Sequence, residues 1–385
     1  MVLRAGTNRF TPAEVAAQWQ SVAGRDARGG LFAHPEFIAQ FRRAFGGRAD
    51  FFDVLALRDD GRVGAVLPMM RCQLRRGPAL VPRYDYLSGD DAFLTGPVRR
   101  AMIPVRQISP VMGLEASHLR LTAAQSPDMP KDRIWAALAR QLASMRRWDM
   151  AILPLAQGDV TGCAAAARAA GLHAIRHPLG RDFHTIETMD SLDGILARSS
   201  GKFRQNIRRA ERTAAADGAE FDVVSGDKVA QLLAEFASLS NESWKASNTN
   251  PQKGGALRVP YAGGQRQFYE TLCGAQGLHP VLGFARMGGV MQAACLGFYQ
   301  GGCLTTVLIF QRPTRGAASY GRLVMHRMFD WAHRQGASRI DLNSNAEWVQ
   351  AYSDSAETLD HLLLFPRGPY AGMLRRLALR RGAVA

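Results

Sequence analysis

No run of about 18 uninterrupted apolar residues occurs in the chain, so no segment reads as a membrane-spanning helix. The opening MVLRAGTNRFTPAEV has no apolar stretch after its arginine and does not read as a secretory signal. Cysteine is scarce. Cys72, Cys163, Cys273, Cys295 and Cys303 are odd in number, far apart and without CxxC or Cys/His spacing. That pattern argues against a disulfide framework and a metal site, and for core thiols in a reducing cytoplasm. An aromatic single-strand platform, zinc-finger spacing and a basic zipper are absent, which counts against most nucleic-acid readers. Acidic residues are in deficit: 33 Asp and Glu stand against 48 Lys and Arg, a formal charge of +15. An excess of that size favours a polyanion or an anionic lipid surface as partner.

What is present describes a folded chain of 385 residues, long enough for two domains that each bury a core. Two helices open it: TPAEVAAQWQSVAG, with a Thr11 cap and Pro12 as first helical residue, and HPEFIAQFRRAFGG. FFDVLALRDDGRVGAVLPMMRC reads as two strands joined at Asp59-Asp60-Gly61. Long loops follow, then helix IWAALARQLASMRRW, buried strand DMAILPL and helix VTGCAAAARAAG. The second half runs similarly: strand FDVV, helix KVAQLLAEFASLSNESWK, a glycine-rich loop, helix GGQRQFYETLCGAQG, and three strands turning at Gly288-Gly289 and Gly301-Gly302. Helix YGRLVMHRMFDWAHRQG and strand ASRIDLNS complete it. The order predicts an imperfect duplication of one α/β unit, with the break near Ile175–Ile186.

Near that break lies SSGKFRQNIRRAERTAAADG. Ser199 and Ser200 can cap a helix, Phe203, Ile207, Ala210 and Ala214 form an apolar stripe, and Gly218 supplies the stop. Arg204, Arg208 and Arg212 then stack at i, i+4 spacing, at a cost of about 0.2–0.5 kcal/mol per like-charged pair. The column is either a solvated basic face or one awaiting an anion, a phosphate or a membrane surface.

The succession hairpin, strand, loop, long helix, Ile-Asp strand resembles the GNAT acyltransferase superfamily. HPEFIAQFRRAF followed by VLALRDDGRVGAVLPMM resembles the opening of its cellulose-biosynthesis-type group, and the arginine segment is similar to that group's Lys-x-Arg-x-x-Ile-Arg-Arg-Ala-x-Arg stretch. The group in turn resembles the FemAB transferases, built from tandem GNAT-like domains. The resemblance implies an α/β fold of two such domains, 1–180 and 181–365, each a mixed, mainly antiparallel sheet flanked by helices, with a basic tail at 366–385.

It also implies an acyl-CoA donor. Backbone N–H groups at a helix start form an anion site, and in RPTRGAASYGRLVMHRM the cap Ser319, Gly321 and the charges of Arg315 and Arg322 suit a pyrophosphate. Where the superfamily's loop places glycine, this chain has Arg315. Acyl transfer from a thioester needs a neutral amine, a stabilised carbonyl oxygen and a leaving thiolate. Candidate bases are Glu242, at a helix end before the glycine-rich loop, and Asp341, at the end of a buried strand; Tyr352 is a candidate donor to the thiolate. Trp244, Lys245, Asn343, Glu347, Asp85 and Tyr86 are candidate substrate contacts. His326 reads as a packing residue. For each carboxylate taken alone, a structural role as cap or ion-pair partner outweighs catalysis.

GPYAGMLRRLALRRGAVA places Tyr370, Met373, Leu374 and Leu377 on one side and Arg375, Arg376, Arg380 and Arg381 on the other, a pattern that can lie on an anionic bilayer or dock as a tail. The expectation is a cytoplasmic, membrane-peripheral acyl-CoA N-acyltransferase without metal, acting on a lipid or glycan amine at the inner membrane face, with acylation of a sphingoid base to a ceramide as its sharpest form. Modification of a cellulose or exopolysaccharide precursor, an aminoacyl-tRNA-dependent transferase, and a non-catalytic binding subunit are the alternatives.

Overall fold

A computed structural model describes residues 12–23, 30–32, 34–45, 49–74, 105–111, 124–187, 190–243, 264–313, 319–344 and 347–380. The chain divides into two compact units, Met1–Asp182 with Glu357–Ala385, and Phe183–Ala356.

The first unit begins with helices α1 (Pro12–Ala23) and α2 (Pro35–Phe45) and the hairpin β1 (Asp50–Leu57) and β2 (Val63–Leu74). β3 (Val105–Pro110), β4 (Ala124–Gln125), helix α3 (Lys131–Ser144), β5 (Met150–Ala156), helix α4 (Gln157–Ala169) and β6 (His173–Ile186) follow. Its strand order is β1-β2-β3-β5-β12-β6, with β4 on β2 and β12 (Ser355–Phe365) from the far end of the chain. The hairpin forms as the turn residues require, Gly61 taking φ +77. Its inward face, Val54, Ala56, Ala65 and Leu67, closes over Ile134, Trp135, Leu138 and Leu142 of α3.

The division between the units, after Asp182, falls inside the Ile175–Ile186 stretch where the sequence placed its break, within the 14-residue strand β6. The second boundary lies earlier than the 365 expected, because β12 pairs antiparallel with β5 from Leu359–Ala156 to Leu364–Ala151 and so falls with the first unit. The final helix α10 (Pro369–Leu379) joins it there. Leu374 and Ala378 are fully buried against Ile175, Leu363 and Phe365, so most of the face that the sequence offered to a bilayer is spent on this core. Met373 alone of that face stays exposed, at 37%.

The second unit runs from the end of β6 through short helix α5 (Leu192–Ala197), helix α6 (Gly201–Ala216), β7 (Glu220–Ser225), helix α7 (Asp227–Glu242) and helix α8 (Gly264–Cys273). β8 (Pro280–Met287), β9 (Val290–Gln300), β10 (Cys303–Gln311), helix α9 (Tyr320–Arg334) and β11 (Arg339–Asp341) complete it. Its strand order is β6-β11-β10-β9-β8-β7, antiparallel except for the parallel pair β10 and β11 that α9 connects. The first unit repeats that scheme with its own parallel pair, β3 and β5, joined through α3. The helix-facing core holds Leu304, Ile340, Ile186 and, from α9, Val324, Met328 and Phe329. Gly283 of β8 admits the helix: a Cβ there would stand 2.6 Å from Met328 Cγ.

Candidate active site

The site grows from CLTTVLIFQ, an apolar strand interrupted by two adjacent threonines. β10 and β11 pair for three positions only, Cys303–Arg339, Leu304–Ile340 and Thr305–Asp341. Beyond them β10 continues to Gln311 beside β9, its register slipping between Thr306 and Leu308. A bulge of this kind bends the strand and increases its twist. Side chains replace the ladder where it ends: Thr306 Oγ1 donates to the carbonyl of Leu342 at 2.9 Å, and Asn343 Nδ2 donates to the carbonyl of Thr306 at 3.0 Å. Asn343 holds φ +47, a conformation that asparagine tolerates better than most residues. From Val307 to Phe310 the second edge of β10 has no strand partner among the described residues. An extended ligand could pair with such an edge.

Register sets what faces this parting. Thr305, Asp341 and Thr185 lie side by side on three adjacent strands, on the face opposite Leu304, Ile340 and Ile186. All three are buried, Asp341 at 6% exposure. Asp341 Oδ1 accepts the backbone N–H of Asn343 at 2.8 Å, and Thr185 Oγ1 donates to Glu187 Oε1 at 2.9 Å. Asp341 is thus flanked by a threonine on each neighbouring strand where the strands diverge.

Helix α9 starts beside the end of β10. Ser319 occupies its cap position, but the hydroxyl makes no capping bond, contrary to the sequence expectation. Gln311 supplies the acceptor instead: its Oε1 takes the Gly321 N–H at 2.8 Å. A Cβ at Gly321 would come within 3.0 Å of that oxygen. Tyr320 Oη donates to Asp217 Oδ2 at 2.6 Å, and burial, reinforced by that bond, pushes its pKa up to about 12. The Arg322 guanidinium stacks over the Phe203 ring at 5.4 Å, with its Nε buried and unbonded among the described residues.

The remaining expectations divide. Tyr352 lies in the interior, 1% exposed, its hydroxyl 2.8 Å from His326 Nε2, so it faces the core and not a leaving thiolate. His326 is a packing residue as expected; burial, then Arg322 and Arg327, lower its pKa to about 3. Glu242 is held by the Arg312 guanidinium, with Arg312 Nη2 at 3.1 Å from Oε1, and Ser238 Oγ donates to the same oxygen at 3.2 Å. That geometry anchors the end of α7 to the exit of β10, and a base at this position would first have to break the pair. The arginine column is not uniform. Arg204 turns its guanidinium to the carbonyls of Ala197 and Ser199 at the end of α5, whereas Arg208 and Arg212 are exposed. Arg315, Trp244, Lys245, Asp85 and Tyr86 lie outside the described residues, as does the side chain of Glu347. Sequence reasoning passed over Thr305, Thr306 and Gln311; two threonines inside a buried run were the available signal. Among the described residues no His/Cys/Asp/Glu cluster could hold a metal, and no helix is long and apolar enough to cross a membrane.

The sequence profile of the Acetyltransferase (GNAT) domain family matches residues 201–351, which lie within the second unit. The second unit is an acyltransferase domain. A comparison with curated proteins finds no match. Among solved structures, the chain is similar to the C-terminal DUF2156 domain assigned to a lysylphosphatidylglycerol synthetase of Agrobacterium fabrum, at 13% identity over 96% of this chain and 97% of that one, with a TM-score of 0.50. It is similar to FemX at 11% identity over 90% and 95%, with a TM-score of 0.53. At these identities the likeness is one of fold, and it covers nearly the whole chain.

Proposed function

We propose that the second unit transfers an acyl group from acyl-CoA to a primary amine of a lipid or other envelope component. The observation that carries this reading is the parting of β10 and β11 within the matched acyltransferase domain, with an unpaired strand edge leading toward the start of α9. The donor's pantetheine arm pairs along that edge, and its pyrophosphate displaces Gln311 Oε1 from the Gly321 N–H at the start of α9. The amine nitrogen attacks the thioester carbonyl, a C–N bond forms, the C–S bond breaks, and the thiolate leaves and is protonated by water. Asp341, at the middle of the threonine row, receives the proton lost by the amine, and Thr305 and Thr185 orient the ammonium before it is deprotonated. A sphingoid base, giving a ceramide, is the finer form of the acceptor; the basic surface of the unit supports an amine presented among anionic headgroups.

Thermal denaturation of the full chain with acetyl-, octanoyl- and palmitoyl-CoA tests the donor. Stabilisation that grows with chain length is expected. Stabilisation by aminoacyl-tRNA and by none of the CoA esters would overturn it. Lipid extracts from a strain lacking the protein, analysed by mass, identify the acceptor as the missing amide.

A further inference from the structure

Helix α6 buries Ile207, Ala210 and Ala214 along one side. At 100° per residue, Lys202, Gln205, Arg208, Arg209, Arg212 and Ala216 share the opposite side, and all six are exposed. That outward face carries four cations and no carboxylate; Glu211, the helix's one acidic residue, sits on a flank. Elsewhere the same unit pairs its arginines: Arg198 with Asp354, Arg286 with Glu235, Arg312 with Glu242 and Arg339 with Glu187. None of the four α6 cations has an ion-pair partner among the described residues. Like charges accumulated on one helix face weaken the helix, so folding alone does not account for them.

A second feature lies at the C-terminal end of this helix. The turn joining β8 and β9 exposes Met287 at 38% and Val290 at 47%, the two large hydrophobic residues left most open among the unit's described residues. Tyr320 fixes that turn beside α6, since its hydroxyl bonds Asp217, the residue that ends the helix, and lies 4.0 Å from Met287 Sδ. A row of cations ending at an apolar tip matches a bilayer, whose headgroups carry the charge and whose interior receives the tip. A polynucleotide would engage the cations and leave the tip without a partner.

We propose that the outward face of α6, with the Met287–Val290 turn, is a docking surface for an anionic lipid bilayer. Arg204 is not part of it, because its guanidinium is committed to α5. The inference rests on exposure and charge and holds whatever acyl donor the unit uses. Each cation near an anionic surface contributes roughly fivefold to partitioning, and the attraction is screened within a Debye length.

Co-sedimentation of the full chain with vesicles tests it, using pure phosphatidylcholine against equal parts phosphatidylcholine and phosphatidylglycerol. Binding is expected to the mixed vesicles only and to weaken as salt rises. Arg208→Gln with Arg212→Gln should lower the partition coefficient about 30-fold, and Met287→Ser with Val290→Ser should remove the binding that survives high salt. Circular dichroism and an unchanged melting temperature check that both double variants fold. Absence of binding, equal binding to both vesicles, or wild-type binding by the arginine variant overturns the proposal. Salt-sensitive binding of tRNA that the arginine variant loses, with no vesicle binding, also overturns it and assigns the face to nucleic acid.

Discussion

Asn343 Nδ2 donates to the carbonyl oxygen of Thr306 at 3.0 Å, across the point where β10 and β11 cease to pair. This bond and the reciprocal one from Thr306 Oγ1 to the Leu342 carbonyl fix the width of the parting with side chains, in a place where a backbone ladder would have closed it. Asn343→Ala loses the clasp and leaves a non-glycine residue at φ +47, so it should cost about 1–3 kcal/mol in urea denaturation. Asn343→Gly relieves the backbone but not the clasp. If the clasp shapes the donor groove, the glycine variant recovers stability while KM for the donor remains raised.

Gln311 occupies the Gly321 N–H that a donor phosphate would take under the proposed mechanism. Gln311→Ala should lower the melting temperature of the free protein, since a helix-start amide loses its acceptor at about 1 kcal/mol, and should enlarge the stabilisation produced by CoA. Gly321→Ala has the opposite signature: its Cβ crowds the same site at 3.0 Å, and CoA-induced stabilisation shrinks.

The buried His326–Tyr352 pair makes stability pH-dependent. His326 titrates near 3 in the folded chain against about 6.5 when unfolded, so the unfolded state binds the extra proton. Its contribution is complete above about pH 6.5 and is lost as pH falls toward 3, reaching several kcal/mol. Urea midpoints measured over that range should fall more steeply for the wild type than for His326→Leu. Tyr352→Phe removes the hydrogen bond to His326 Nε2 and should cost about 1–3 kcal/mol.

Arg204 and Arg208 share a spacing but not a task. Arg204→Ala removes charged donors from two carbonyls and should destabilise by about 1.5–3 kcal/mol. Arg208→Ala should stay within about 0.5 kcal/mol, as expected of an exposed surface position. Denaturant unfolding of the two single variants checks this.

That difference marks how far the sequence could be read. Helix α6 was legible throughout: Ser200 caps it by accepting from Phe203 N–H, the stripe at Ile207, Ala210 and Ala214 is buried, and Gly218 ends it at φ +67. These are local signals. Periodicity puts Arg204, Arg208 and Arg212 in one column, but Arg204 departs because α5 ends beside it, a relationship carried by tertiary contact. β12 escaped for a related reason: its partner β5 lies some 200 residues earlier, and no turn residue announces such a pairing. Asp341 was legible as a polar residue ending a buried strand. The threonine row around it was not, since it exists only in the register of three strands.

The most direct measurement of the acyltransferase reading is free-thiol release by the purified chain supplied with palmitoyl-CoA and sphinganine. Thiol release matched by amide formation is expected, dependent on both substrates and strongly reduced in Asp341→Asn at unchanged CoA binding. No thiol release with any acyl-CoA and any long-chain amine, together with no stabilisation by CoA, would contradict it.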